Sequence, residues 1–182
     1  ALAAASAVAV LIGGYDGSGN FGDMAQFEAT MGLLEPFDED LLVLPVLERS
    51  RLADHREVSE RMVRRPAHPL YFDTGGEGDA DGGAELVPPT PPARLDFGAC
   101  ILYGGGYLNG FWGERKLSML ATAESLLGGA QIVRKVASGL QVDPLWLSEL
   151  TAEERRALAA FELLGSRDPR SGQALRTLSP GA

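Results

Sequence analysis

The chain predicts an α/β fold, a parallel sheet with helices on both faces, and three observations carry that expectation. Short apolar runs at 7–12, 41–46 and 99–103 alternate with stretches of helical periodicity. That order makes crossover connections and a parallel sheet. The runs are apolar at almost every position, as strands covered on both faces must be. Several also end in small or polar residues just before a helix. In an open parallel sheet those carboxyl ends share one edge, where ligands bind. At 182 residues and 45% hydrophobic content, the chain is long enough for one domain with a proper core.

The first strand is expected at 7–12. Five glycines (Gly13, Gly14, Gly17, Gly19 and Gly22) separate it from a helix over 23–34. Glycine takes positive φ and lets main-chain N–H groups approach a ligand, and a helix N-terminus beneath adds unpaired donors suited to an anion. Asp23 is the expected N-cap, with Gln26 at the capping-box position three residues on. Met24, Phe27, Met31 and Leu34 then form one helical face. A second buried strand follows at 41–46, then a charged helix over 49–64 thinly supported by Leu52, Val58 and Met62. From 66 to 93 prolines, glycines and acids crowd together. That composition cannot build a core and reads as a flexible surface insertion, with one short strand at 70–72.

Order resumes at Phe97 with a strand ending in Gly104-Gly105-Gly106, followed by a helix over 114–127. The next strand, 130–137, is interrupted by Arg134 and Lys135, one of which is expected to end it early; Ser138-Gly139-Leu140-Gln141 then forms a loop. Thr151 and Glu154 make a capping box for a helix through Phe161. A short strand at 162–166 precedes Asp168 and Pro169, the N-cap and first residue of a last helix. The whole chain, 1–182, reads as a single domain.

Charge and composition exclude several functions. With 25 acidic and 16 basic residues the formal net charge is −9, which argues against nucleic acid as a partner. The basic clusters at 49–65 and Arg155-Arg156 are interspersed with acids and read as solvated faces. The single cysteine, Cys100, permits no internal disulfide and sits in an apolar run as a small core residue. His55 and His68 have no partner at metal-ligand spacing, so no metal site is expected. Residues 1–12 lack a basic leader and are too short to span a bilayer; they read as the approach to the first strand.

Two motifs carry chemistry. Gly17-Ser18-Gly19-Asn20-Phe21-Gly22 matches G-x-G-x-x-G literally, but it starts several residues past the strand, and the nearest acid after the second strand, Glu48, lies too late for a dinucleotide fingerprint. No Gly-Lys-Ser/Thr follows, so it is not a P-loop either. Gly104-Gly105-Gly106 is flanked by Tyr107, Asn109 and Trp112. Aromatic and amide side chains beside open backbone suit sugars and nucleotides. Asp16 is either a turn residue or a ligand contact, and Arg167 either neutralises an anion at the cleft edge or pairs with a carboxylate such as Asp168. The candidate ligand-binding set is Tyr15, Asp16, Gly17, Gly19, Asn20, Gly22, Asp23, Gly104, Gly105, Gly106, Asn109, Gln141 and Arg167. No catalytic residue is assigned.

Together these residues resemble the polysaccharide pyruvyl transferase family. Its Gly-Tyr-x-Gly-x-Gly-Asn-x-Gly-Asp stretch stands here as Gly14-Tyr15-Asp16-Gly17-Ser18-Gly19-Asn20-Phe21-Gly22-Asp23. The family's glycine triplet is similar to Gly104-Gly105-Gly106, its glycine-glutamine turn is loosely matched at 138–144, and its Arg-Asp-x-x-Ser turn stands as Arg167-Asp168-Pro169-Arg170-Ser171. The resemblance implies a Rossmann-like half of a two-domain, GT-B-type enzyme. Such an enzyme moves a pyruvyl group from phosphoenolpyruvate, with no cofactor, onto a saccharide or lipid-linked saccharide of the cell envelope. It places the protein in the cytoplasm, at or near the inner face of the membrane. It also implies that the catalytic His and donor-binding basic residues lie in a second domain or a partner chain, absent here. Met24-Ala25, where the family often carries an acid, and the 66–93 insertion depart from the pattern, and His55 and His68 match no family motif. Two other readings stay open: a nucleotide-sugar glycosyltransferase domain, and a non-catalytic Rossmann-like module that binds a partner chain.

Overall fold

The computed structural model describes residues 7–13, 21–37, 41–48, 70–72 and 95–178. Their order is β1 (Ala7–Ile12), α1 (Phe21–Leu34) with a 3₁₀ turn at Glu35–Phe37, β2 (Leu41–Glu48), β3 (Leu70–Phe72) and β4 (Leu95–Tyr103). Then come α2 (Gly113–Leu127), β5 (Ala130–Leu140), α3 (Pro144–Glu149), α4 (Ala152–Ala159), β6 (Leu163–Ser166) and α5 (Pro169–Leu175). The sheet runs β3-β2-β1-β4-β5-β6. Every neighbouring pair is parallel. The fold is α/β and Rossmann-like. β1 lies in the middle, with Ala9 beside Val43 on one flank and Ala99 on the other. Strand order reverses between β1 and β4, so their carboxyl ends form the switch point at which such sheets open a crevice.

The period of two along β1 divides the core. Val8, Val10 and Ile12 face one layer with Leu42, Cys100 and Leu102, where Leu120, Ala123 and Leu127 of α2, Trp146 of α3 and Leu158 of α4 also pack. Ala9 and Leu11 face the other with Phe27 of α1, Val43, Ala99 and Tyr103. Helices therefore cover both faces. Leu11 and Ile12 are almost wholly buried; burial of each such side chain contributes about 1.5–3 kcal/mol.

Four local expectations are corrected. α1 begins at Phe21, so Asp23 is the third helical residue rather than the N-cap, and Gln26 closes no capping box. β5 is not cut short at Arg134 or Lys135 and absorbs 138–140, expected as loop. Arg134 is exposed and bonds Glu162 at 2.7 Å, while Lys135 pairs with Glu124 of α2. β6 pairs with β5 only from Val136 onward, so water and acids reach both cations. α3 was not expected at all. Asp143 caps it by accepting from the Leu145 N–H at 3.0 Å, and Arg155 closes its end by donating to the Leu147 carbonyl at 2.6 Å. α4 ends at Ala159, short of Phe161, but its capping box is present: Thr151 N–H donates to Glu154 Oε2 at 2.7 Å and Glu154 N–H to Thr151 Oγ1 at 3.3 Å. Asp168 caps α5, with Pro169 first in the helix.

The helix expected at 49–64 and nearly all of the 66–93 segment lie outside the described residues; the strand at 70–72 is present. No helix among the described residues is long and apolar enough to cross a membrane.

Candidate functional site

At the carboxyl edge of the sheet the chain ends of β1, β4, β5 and β6 come together. Tyr15, Asp16, Gly17, Gly19 and Asn20 lie outside the described residues. Gly22 and Asp23 fall in the first turn of α1. Asp23, released from capping, reaches across the switch point: its Oδ1 accepts from the Tyr107 hydroxyl at 2.5 Å, a link between residues 84 apart in sequence. The two glycine motifs are thereby joined directly.

The glycine triplet is threaded among three polar side chains. Gly104 and Gly105 have φ of 58° and 83°, a region open to glycine and strained for other residues. A Cβ at 104 would strike the Gln26 carboxamide, one at 105 the Tyr107 ring, and one at 106 would sit 2.9 Å from Gln141 Oε1. Gly104 N–H donates to the Ser138 carbonyl at 2.7 Å, and Gln141 N–H donates to the Gly105 carbonyl at 2.9 Å. The N–H groups of Gly105 and Gly106 have no acceptor among the described residues. Gln26 Oε1 is buried and likewise lacks a donor.

Asn109 turns the loop into α2. Its Nδ2 donates to the Gly106 carbonyl, and its Oδ1 accepts from the N–H groups of Phe111 at 2.8 Å and Trp112 at 3.0 Å. With both ends of the amide committed, Asn109 shapes the site more than it offers itself to a ligand.

Lys116 is the site residue that sequence reasoning missed. It is 6% exposed. Its Nζ donates to the Gly13 carbonyl at 2.6 Å and lies 4.9 Å from the centroid of the Tyr107 ring. A desolvated ammonium over an aromatic face is a favourable cation–π contact. The cation thus joins the end of β1 to the loop after β4. One signal was available: Lys116 stands three, four and seven residues before the buried Met119, Leu120 and Ala123, on the apolar face of α2.

Beyond the triplet lies a cleft of about 430 Å³, lined by Gly106, Asn109, Gln141, Val142, Asp143, Pro144, Asp168, Arg170 and Ser171. Ser171 is 1% exposed. Its Oγ donates to Asp168 Oδ2 at 2.7 Å and accepts from Val142 N–H at 2.9 Å, while its own N–H donates to Asp168 Oδ1 at 2.9 Å. The hydrogen bonds from Ser171, backbone first and then hydroxyl, hold the Asp168 carboxyl below its ordinary value, with the Arg167 charge adding to them. Asp143 N–H donates to the Leu108 carbonyl at 2.8 Å, fixing the opposite wall. Arg167 is exposed and stands off this wall, its N–H donating to the Leu140 carbonyl at 2.9 Å. Arg170 takes the place on the cleft.

Among the described residues no group of three or more His, Cys, Asp or Glu could hold a metal ion. Burial pushes the Cys100 thiol up to about 12, so it remains protonated at neutral pH and is inert as a nucleophile. No family model matches the chain, and neither a curated protein nor a solved structure matches it.

Proposed function

We propose that the chain is the N-terminal, acceptor-side half of a pyruvyl transferase that uses phosphoenolpyruvate as donor and a cell-envelope saccharide as acceptor, on the cytoplasmic side of the membrane. The observation that carries the reading is the Tyr107–Asp23 hydrogen bond. It ties the end of the Gly14–Asp23 motif to the residue that follows the triplet, two of the stretches that carry the family resemblance. In the proposed reaction two saccharide hydroxyls form C–O bonds to C2 of phosphoenolpyruvate while the C2–O bond to phosphate breaks. One hydroxyl proton ends on C3, making the methyl group, and the other on the departing phosphate. The side chains at this edge orient an acceptor; the donor-binding cations and the catalytic His are assigned to a second domain or a partner chain.

The test uses the protein as its source cell makes it, captured with an antibody to this segment and weighed intact. Incubation with phosphoenolpyruvate and saccharide acceptors should release phosphate and yield a ketal detectable by mass. Consumption of nucleotide sugars with no response to phosphoenolpyruvate would replace this reading with a glycosyltransferase. A stable complex with another chain and no turnover would make it a binding module. The 182-residue chain alone is expected to be inactive, and turnover by it would mean that catalytic groups lie within it.

A further inference from the structure

We infer that the cleft beyond the glycine triplet is a subsite for a neutral, hydroxyl-rich ring, a single saccharide residue resting on Gly106 and Gln141 against the Asp168–Ser171 wall. The inference rests on the acceptor-side reading and names where, and on what chemistry, the acceptor is held. A volume of about 430 Å³ falls within the range of small-molecule sites, roughly 300–1,000 Å³.

The lining selects the class of ligand. On the donor side are the Gly106 N–H, which has no acceptor among the described residues, and the Gln141 carboxamide, which makes no side-chain hydrogen bond there. Gly106 is half-buried and Gln141 exposed, so both donors are open to a ligand entering the cleft. On the acceptor side are the carboxylates of Asp143 and Asp168, each oxygen having more lone pairs than its present bonds use. A sugar hydroxyl gives and takes, so a mixed wall suits it. A phosphate or carboxylate only accepts, and among the lining residues it would face two carboxylates against one guanidinium, that of Arg170. An apolar ligand would strand these polar groups.

The wall is also built in advance. Ser171 locks the loop after β6 to Val142 in the loop after β5. A ligand binding to a preorganised wall does not have to supply its ordering entropy. Gln141 can lie flat on the triplet because residue 106 carries no side chain.

The experiment is amide NMR on the ¹⁵N-labelled 182-residue chain, titrated with methyl β-D-glucopyranoside, methyl β-D-galactopyranoside and inorganic phosphate. The expected result is glycoside-dependent shifts at Gly106, Gln141 and Asp143, with about tenfold weaker binding in Gln141→Ala. The melting temperature of that variant should not move, because Gln141 is exposed and its side chain is unbonded. Gly106→Ala, which pushes the Gln141 amide aside, should weaken binding in the same way. Glycoside shifts confined to Gly104 and Asp23 and indifferent to both substitutions would overturn the subsite and leave the acceptor-side reading standing. Phosphate filling the cleft more tightly than either glycoside would overturn the subsite as well. No glycoside response anywhere would overturn the subsite too, and the acceptor-side reading is then decided by the assay on the protein as its source cell makes it.

Discussion

Gly105 and Lys116 carry the sharpest consequences at the scale of single residues. Gly105 combines a φ of 83° with a Tyr107 ring where its Cβ would be. Gly105→Ala is therefore expected to cost about 1–3 kcal/mol through backbone strain, plus whatever is lost as Tyr107 moves off Asp23. Urea unfolding measures the first loss and the Asp23 amide shift the second. A glycine elsewhere should respond in the opposite sense: Gly32 in α1 has nothing within 4 Å of a new Cβ. Gly32→Ala should stabilise the chain by about 0.5–1 kcal/mol. Lys116→Met keeps the apolar stem but leaves the Gly13 carbonyl without its donor, at an expected cost of about 1–3 kcal/mol. An unchanged urea midpoint would mean that the Lys116 ammonium adds nothing net to the fold.

The elements show how local chemistry fixes the ends that shape the cleft. Asp168 caps α5 and also holds Ser171, so one carboxylate sets both the helix start and the cleft wall. Its value is lowered in the folded state, so the stability it contributes is present above the ordinary value of 3.8 and is lost as pH falls through the folded one. Asp168→Ala should lower the unfolding midpoint at neutral pH, and the gap to the wild type should close in acid. A pH series of thermal melts, with a gap constant down to pH 2, would remove the cap from the account. Much at this scale was legible in the sequence. The bounds of β1, the Thr151–Glu154 box and the Asp168-Pro169 start were all readable, because caps and apolar runs act through near neighbours. What was not legible depended on distant partners. Asp23 looked like a cap because the sequence could not show Tyr107, 84 residues away, drawing it across the crevice. β5 looked interrupted because Glu124 and Glu162, which pair with its cations, come from other elements. α3 was overlooked because six residues carry too little periodicity to declare a helix.

For the whole molecule, the centre of the sheet sets the response to alkali and to chemical probes. Cys100 stands on β4 beside Val10 of β1, 1% exposed. Its thiol ionises at about 12 in the fold against an ordinary 9.0. Because the folded value is raised, this residue's share of stability is intact below pH 9 and declines as pH rises from there towards 12. Cys100→Ala should flatten that alkaline slope in denaturant titrations between pH 8 and 10. A disulfide exchange reagent should label Cys100 only as fast as the sheet opens globally. Rapid labelling in native buffer would show that β4 separates from β1 locally. The sheet itself was predictable because β1 and β4, at its centre, are apolar runs that feed helices. The convergence of its loops followed from topology, whereas the side chains that meet there, Lys116 and Arg170 above all, did not.

The strand order holds one more consequence. Residues up to Phe72 supply β1, β2 and β3, and those from Leu95 onward supply β4, β5 and β6, so the join between β1 and β4 is where two consecutive halves of the polypeptide meet. A chain severed between Phe72 and Leu95 keeps all six described strands whole, and its two pieces present complementary edges, six residue pairs long, to each other. Mixed together, they should reassemble into one sheet. The Asp23–Tyr107 bond and the Lys116–Gly13 bond both span that join. The crevice is then a property of the reunited pair and of neither piece, and Tyr107→Phe or Lys116→Met should loosen the reunion even though neither residue lies on a strand.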